Sequence, residues 1–499
     1  MKKMLKKTGV AVLSMAMLLS MGAMTAATAS AAGESITVAS STGLAAGDSV
    51  KVYKVAEKTA SGWNWVGNFA SAGLNFATIS GYANNSDDVK TVASKLAAIA
   101  KTQVNGADAT GTVGSAIDVS ASGAGYYLII ASPANAALVA QPILREVKGA
   151  ETIDAVKVST VTLTKQITAV NNETTGVAAD GKTAEASIND KIHYKLVAQI
   201  PSYDASADIT KMQPFYLKDT SMNTIASVDG SFGVTISDSN TATATSGTVT
   251  NAVTLARADA QNFKVTLEGK NLKDNGGKYL IVEFDATLAT DPVISKNLGA
   301  DDRSDANKND VKLIYGNDFA TGQAIDNSGN PIENEEDKPT LEDYADVYTS
   351  LLQVNKTFDG KKPAAGVSAE FTLFSDEACT TAVRPAAATD ANGIVSFKGL
   401  ASGTYYLKET KTPDNFKTAA VAKVVLDVDA ATKSVYTAPT NFTEIATGGF
   451  ETTIDNPPLE TLPATGGIGT YLFTIGGAAI VLLAGVLFVF YMKKRETEE

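Results

Sequence analysis

Two periodicities divide this chain. From Ser35 to about Pro458, apolar residues recur mainly at every second position, in short runs bounded by glycine, asparagine, aspartate and proline. Such runs predict half-buried strands joined by turns. One stretch breaks the pattern: Val89, Val92, Leu96 and Ile99 are spaced three, four and three apart. This predicts an amphipathic helix with Ser86 as N-cap and Asp87 and Asp88 in its first turn. The two ends follow neither rule. Residues 1–31 carry Lys2, Lys3, Lys6 and Lys7, then an apolar run from Val10 to Met24, and close on Ala29-Ser30-Ala31, the layout of a secretory signal cleaved after Ala31. Ile468 to Tyr491 is almost wholly apolar, long enough to cross a hydrocarbon core of roughly 30 Å at about 1.5 Å per residue. Lys493, Lys494 and Arg495 follow at once, which leaves the tail inside and everything upstream outside.

The 499 residues exceed one hydrophobic core. The strand runs predict a mostly β protein of three tandem immunoglobulin-like β-sandwich modules, with one helix in the first and a transmembrane helix at the C-terminus. The expected division is signal peptide 1–31, N-terminal domain 32–157, middle domain 158–326, an acidic linker 327–347, a third domain 348–458, and a tail 459–499. Ser49–Tyr53 and Tyr126–Ile130 exemplify strands of the first domain, where Trp63 and Trp65 read as packing or contact residues. Asp390-Ala391-Asn392-Gly393 and Ala401-Ser402-Gly403 are turn signals in the third.

Composition narrows the function. Net charge is −12, and removing the signal's four lysines makes it about −16, which argues against nucleic acid as a partner. Cys379 is the only cysteine, so no intrachain disulfide can form. The sole histidine, His193, lies opposite the face of Ile192, Tyr194 and Leu196 and is expected to pack or face solvent. No metal cluster, phosphate loop or cofactor motif appears, so an enzyme is not expected.

The strands carry a recurring anomaly. Period-two alternation puts Leu352, Val354, Lys356 and Phe358 on one face, Tyr405, Leu407 and Glu409 on another, and Phe450, Thr452, Ile454 and Asn456 on a third. Each apolar face holds one polar intruder. Burying the three separately costs several kcal/mol each, so the economical arrangement is that they meet. Desolvation pushes a lysine pKa down and a carboxyl pKa up, giving a neutral amine and a protonated acid. Attack of Lys356 on the Asn456 amide, with Glu409 moving the proton, would expel ammonia and leave an isopeptide cross-link. The alternative is a lysine snorkelling to the rim beside an ordinary ion pair. In the middle domain, Val161, Leu163, Lys165 and Ile167 share a face, as do Phe215, Leu217 and Asp219, and Val311, Leu313, Tyr315 and Asn317. Asn309 has the same parity as Asn317.

Three resemblances extend this reading. Leu462-Pro463-Ala464-Thr465-Gly466, joined to the apolar span and basic tail, resembles the LPxTG cell-wall sorting signal of Gram-positive bacteria. It implies cleavage and attachment through Thr465 by sortase transpeptidases. Ala369–Phe374, Asp390–Gly393 and Gly403–Lys411 resemble a collagen-adhesin B-type module, which implies a self-formed bond between Lys356 and Asn456 assisted by Glu409. The middle strings resemble those of backbone (major) pilins, which implies Lys165 and Asn317 as the bonded pair with Asp219 assisting, and Asn309 as rival partner.

The same resemblance implies the shaft subunit of a covalent surface pilus (fimbrium), catalysing only its own bonds once. Thr465 of one subunit would join a lysine of the next: Lys157 lies eight residues before Lys165 but lacks the preceding Tyr-Pro usual in the family, so Lys148 stays open. The implied partners are pilus-specific and housekeeping sortases, further pilin subunits in a head-to-tail polymer, and peptidoglycan. The alternative is a wall-anchored monomeric adhesin or minor pilin that binds a host surface or matrix.

Overall fold

The computed structural model describes residues 33–496 except 42, 85, 101–105, 136, 155, 206, 327–329 and 461–467. The signal 1–31 and the motif 462–466 therefore lie outside the described residues. Residues through Ala134 with Gln141–Lys157 form one compact unit; Asn135–Ala140 and the chain from Val158 onward form another.

The first unit has two sheets. One pairs Ser35–Val38 with Ala116–Asp118 and, in parallel, with Ala150–Ile153. The other is built on Ser49–Thr59 and Gly125–Ser132. The predicted helix is Asp87–Ala100. Ser86 Oγ accepts the Val89 N–H at 3.3 Å, as an N-cap does, and Val89, Val92 and Leu96 are buried. Trp63 and Trp65 pack on Phe76, with Trp63 also edge-on to Tyr126. The expectation of a single helix is corrected: Phe76–Ile79 and a 3₁₀ turn at Gly67–Ala72 add short ones, as does Gly269–Asp274 in the second unit. Segments this short show no 3.6-residue period.

The second unit contains two sandwiches. In the middle one, Leu163–Val170 is an edge strand beside Lys191–Gln199 and then Tyr279–Leu288. The facing sheet runs Thr254–Arg257, Asn262–Leu267, Phe215–Ser221, Asn309–Ile314, Thr340–Tyr344. The core between them includes Tyr194, Phe215, Phe263, Phe284 and Leu313. The expected linker at 327–347 is also corrected. Thr340–Tyr344 pairs with Asn309–Ile314, and Asp346–Tyr348 pairs in parallel with Thr183–Glu185. An edge strand with one wet face can carry Glu342 and Asp343 and still belong to the sheet.

The third sandwich has a sheet with Ile394–Leu400, Ser350–Phe358, Phe450–Asn456 and Thr443–Glu444 in order, and a facing sheet centred on Glu370–Phe374 and Gly403–Lys411. It joins the middle sandwich through polar contacts: Ser402 N–H donates to Glu185 at 2.7 Å, Ser295 Oγ to the Ser434 carbonyl at 2.8 Å, and Ile188 N–H to the Gly399 carbonyl at 3.0 Å. Gly399 has φ +69°, and a Cβ there would meet Ile188 at 2.3 Å, so only glycine fits this junction. Ile468–Glu496 is a helix whose segment Gly469–Arg495 is long and apolar enough to cross a membrane.

Candidate functional site

In the third sandwich, the opening strand Ser350–Phe358 and the closing strand Phe450–Asn456 are parallel neighbours, with Lys356 opposite Ile454 and Phe358 opposite Asn456. Lys356 and Asn456 are therefore diagonal neighbours on one inward face. Both are buried, as is Glu409, which reaches over from the facing sheet. The Asn456 Nδ2 donates to both Glu409 oxygens, at 2.7 and 3.0 Å, and Ala419 N–H donates to Oε2 at 2.7 Å. Asn456 Oδ1 is buried with no hydrogen-bond partner. The Lys356 amine donates to the carbonyls of Thr357 at 2.6 Å and Ile454 at 3.0 Å and sits 4.4 Å from the centre of the Phe358 ring. Burial pushes its pKa down to about 8, against the opposing pull of Glu409 and Asp455. The Asp390–Gly393 turn supports this strand, since Lys356 N–H donates to the Gly393 carbonyl at 2.7 Å.

The middle sandwich holds a second cluster. Lys165 is 0% exposed and ion-paired with Asp219, which is 1% exposed on the facing sheet. Burial lowers the Lys165 pKa and raises that of Asp219 to about 6, each offset by the other's charge. Lys165 Nζ also lies 3.4 Å from the Asp310 carbonyl and 5.5 Å from the centre of the Tyr194 ring. The strand Asn309–Ile314 lies beside the strand of Asp219, with Asp219 opposite Val311 and Asn309 two residues away on the same face. Asn309 is 1% exposed, and neither atom of its amide has a hydrogen-bond partner.

Asn317 is placed elsewhere, which corrects the expected middle pair. Its strand ends at Ile314, so Asn317 lies three residues beyond the ladder that pairs Asp219 with Val311. The chain bends at Gly316, where a Cβ would meet the Gly322 carbonyl at 2.0 Å. The Asn317 amide is already spent on Ile325, donating to its carbonyl at 2.9 Å and accepting its N–H at 2.8 Å.

Two further arrangements were not visible in the sequence. Asp343 Oδ2 accepts the Lys165 N–H at 2.6 Å while Lys182 Nζ donates to the Lys165 carbonyl at 2.7 Å, clamping the backbone of the edge strand. Asp346 accepts the Asn309 N–H at 3.2 Å and is ion-paired with Arg303. His193 sits half-exposed on the outer face, 2.7 Å from Asp285. In the first unit Lys157 is exposed, with no ion-pair partner among the described residues, whereas Lys148 pairs with Glu146 at 2.9 Å.

Comparison with known proteins matches these features. Residues 351–441 match the SpaA prealbumin-like fold domain, and residues 454–499 match the LPXTG cell wall anchor motif. The chain is thus a cell-wall-anchored surface protein of Gram-positive type, built of β-sandwich modules. Its fold is that of a backbone pilin. The solved structure of the T6 backbone pilin of serotype M6 Streptococcus pyogenes, which has three domains, aligns with a TM-score of 0.59 at 16% identity, over 85% of this chain and 98% of that one. The trypsin-resistant surface T6 protein of Streptococcus pyogenes serotype M6 is 23% identical over 397 residues, 66% of this chain and 68% of its own length. The Corynebacterium diphtheriae major pilin SpaA aligns with a TM-score of 0.48 at 16% identity, over 85% of this chain and all of that one.

Proposed function

We propose that this protein is the shaft subunit of a covalently polymerised surface pilus, and that its sandwiches close themselves with internal lysine–asparagine bonds. The observation that carries this reading is the burial of Lys356 and Asn456 on one inward face of the parallel first and last strands, with Glu409 of the facing sheet hydrogen-bonded to Asn456. Burial of a lysine without a carboxylate in contact is costly, and formation of a neutral amide removes that cost.

The chemistry follows from the atoms in place. The neutral Lys356 amine attacks Asn456 Cγ, and Glu409, hydrogen-bonded to Nδ2, carries a proton from the attacking nitrogen to the departing one. A C–N bond forms, the Asn456 Cγ–Nδ2 bond breaks, and ammonia leaves. In the middle sandwich the same roles fall to Lys165, Asp219 and Asn309. Each product ties a folded loop into a covalent ring.

For polymerisation, a sortase would cleave between Thr465 and Gly466 and pass the Thr465 carbonyl to Lys157 of the next subunit. Both lysines are exposed; Lys157 is favoured because it has no ion-pair partner among the described residues, whereas Lys148 pairs with Glu146. Subunits joined head to tail make an open filament, and the last would be passed to peptidoglycan. Electrophoresis of wall extracts tests this: a ladder of high-mass species is expected, lost in Lys157→Ala and kept in Lys148→Ala. A single wall-linked band from the unaltered protein would instead mark a monomeric adhesin.

A further inference from the structure

The middle cluster contains a group with no assigned work. Tyr194 is 0% exposed, and its hydroxyl is buried without a hydrogen-bond partner. So are both polar atoms of the Asn309 amide. Orphaned buried hydroxyls are rare because each costs its full desolvation. Here two orphans sit together: Asn309 is close enough to ease ionisation of Tyr194, although burial dominates and holds that hydroxyl protonated well above its ordinary range. The ring itself is fixed. It stacks on Phe284 at 5.2 Å with planes 12° apart, lies beneath the Lys165 amine, and comes from Lys191–Gln199, where Tyr194 pairs with Ile167 and Leu196 with Lys165.

We propose that Tyr194 is a catalytic residue of the middle cross-link, its hydroxyl donating a hydrogen bond to the Asn309 oxygen as negative charge develops there. This rests on the reading that Lys165 and Asn309 condense. The neutral Lys165 amine adds to Asn309 Cγ, and the carbonyl electron pair moves onto Oδ1, held by the Tyr194 O–H, which keeps its proton. Asp219 delivers its proton to Nδ2 and recovers one from the Lys165 nitrogen; the Cγ–Nδ2 bond breaks and ammonia departs. The resting orphans are then explained, because the donor is aimed at charge that exists only during the reaction. Asp219 is free for proton transfer because a second group handles the oxygen.

Tyr194→Phe removes only the hydroxyl. Loss of one such donor slows a reaction by about 10²-fold or more, so the freshly made full chain should retain a folded species heavier by one ammonia, about 17 Da, that converts slowly. Protease resistance matching that of Asn309→Ala establishes that this species is folded. Ile167→Ala, which loosens packing beside Tyr194 without touching the amide, should be cross-linked from the first sample. Complete cross-linking of Tyr194→Phe at that sample would overturn the assignment. An experimental structure of the unaltered protein gives an independent answer: the new amide oxygen should accept from Tyr194 Oη within hydrogen-bond distance, and an oxygen turned away from it overturns the proposal. A wild-type chain with no bond at Lys165 would instead remove the reading beneath it.

Discussion

Lys356 and Lys165 are both dry, yet they differ in electrostatic state. Lys165 shares its cavity with Asp219, whose raised pKa of about 6 lets the pair exist as neutral amine and neutral acid with no change in total charge. Lys356 contacts only carbonyls and a ring, and its pKa of about 8 reflects burial alone winning over two distant carboxylates. Asn456→Ala would keep this amine titratable. The folded pKa is then below the unfolded value of about 10.4, so the unfolded chain binds the proton more tightly between them. Stability of that variant is expected to rise from about pH 8 toward pH 10, read as urea midpoints, whereas a parent cross-linked as proposed would have no amine there to titrate. Lys165→Ala, Asp219→Ala and Asn309→Ala should each restore about 17 Da to the intact mass as one ammonia is retained, and Asn317→Ala should restore none. Alternation along single strands was enough to single out Lys356, Glu409, Asn456, Lys165 and Asp219 as inward-facing. It could not separate Asn309 from Asn317, because parity continues on paper past Ile314 while the real strand stops before the bend at Gly316. Nor could it flag Tyr194, which reads as an ordinary core aromatic until its hydroxyl is found without a partner.

Strand order sets where each proposed bond would act. In the third sandwich the parallel first and last strands hold Lys356 and Asn456 near their exits, so a bond there encloses about one hundred residues and would remove about 4.7 kcal/mol of unfolded-chain entropy if the disulfide relation transfers. Asn456→Ala should therefore lower that module's unfolding midpoint by roughly 20 °C, measured by calorimetry. In the middle sandwich the first strand reaches across to the penultimate one, and the final strand Thr340–Tyr344 stays outside the ring. That strand reads as linker because it is polar and acidic; Glu342 faces water while Asp343 turns to the Lys165 backbone, and its role appears only once the pairing with Asn309–Ile314 is seen. The helix Asp87–Ala100, by contrast, was legible from spacing and cap together. Ser86→Ala should cost about 1 kcal/mol in the first unit by loss of the N-cap, read as a shift in its denaturant midpoint.

In the proposed polymer, connectivity decides which residues would carry load. Tension arriving at Lys157 and leaving at Thr465 would run through Lys165 to Asn309, along 310–355, then through Lys356 to Asn456. The first unit ends at Lys157 in sequence, so its other residues lie outside this path. Residues 166–308 and 357–455 are bypassed; between the two bonds only 310–355 can lengthen, by at most about 16 nm at roughly 3.5 Å per residue. Stretching between Lys157 and the C-terminal end should show no longer step, and Lys356→Ala should add the full release of the third sandwich. The most direct test is peptide mapping by mass spectrometry of the high-mass material released from cell walls. Three branched peptides are predicted, joining Lys157 to Thr465, Lys165 to Asn309, and Lys356 to Asn456. Recovery of Lys165 and Lys356 in linear peptides, with Thr465 attached only to peptidoglycan, would contradict the account.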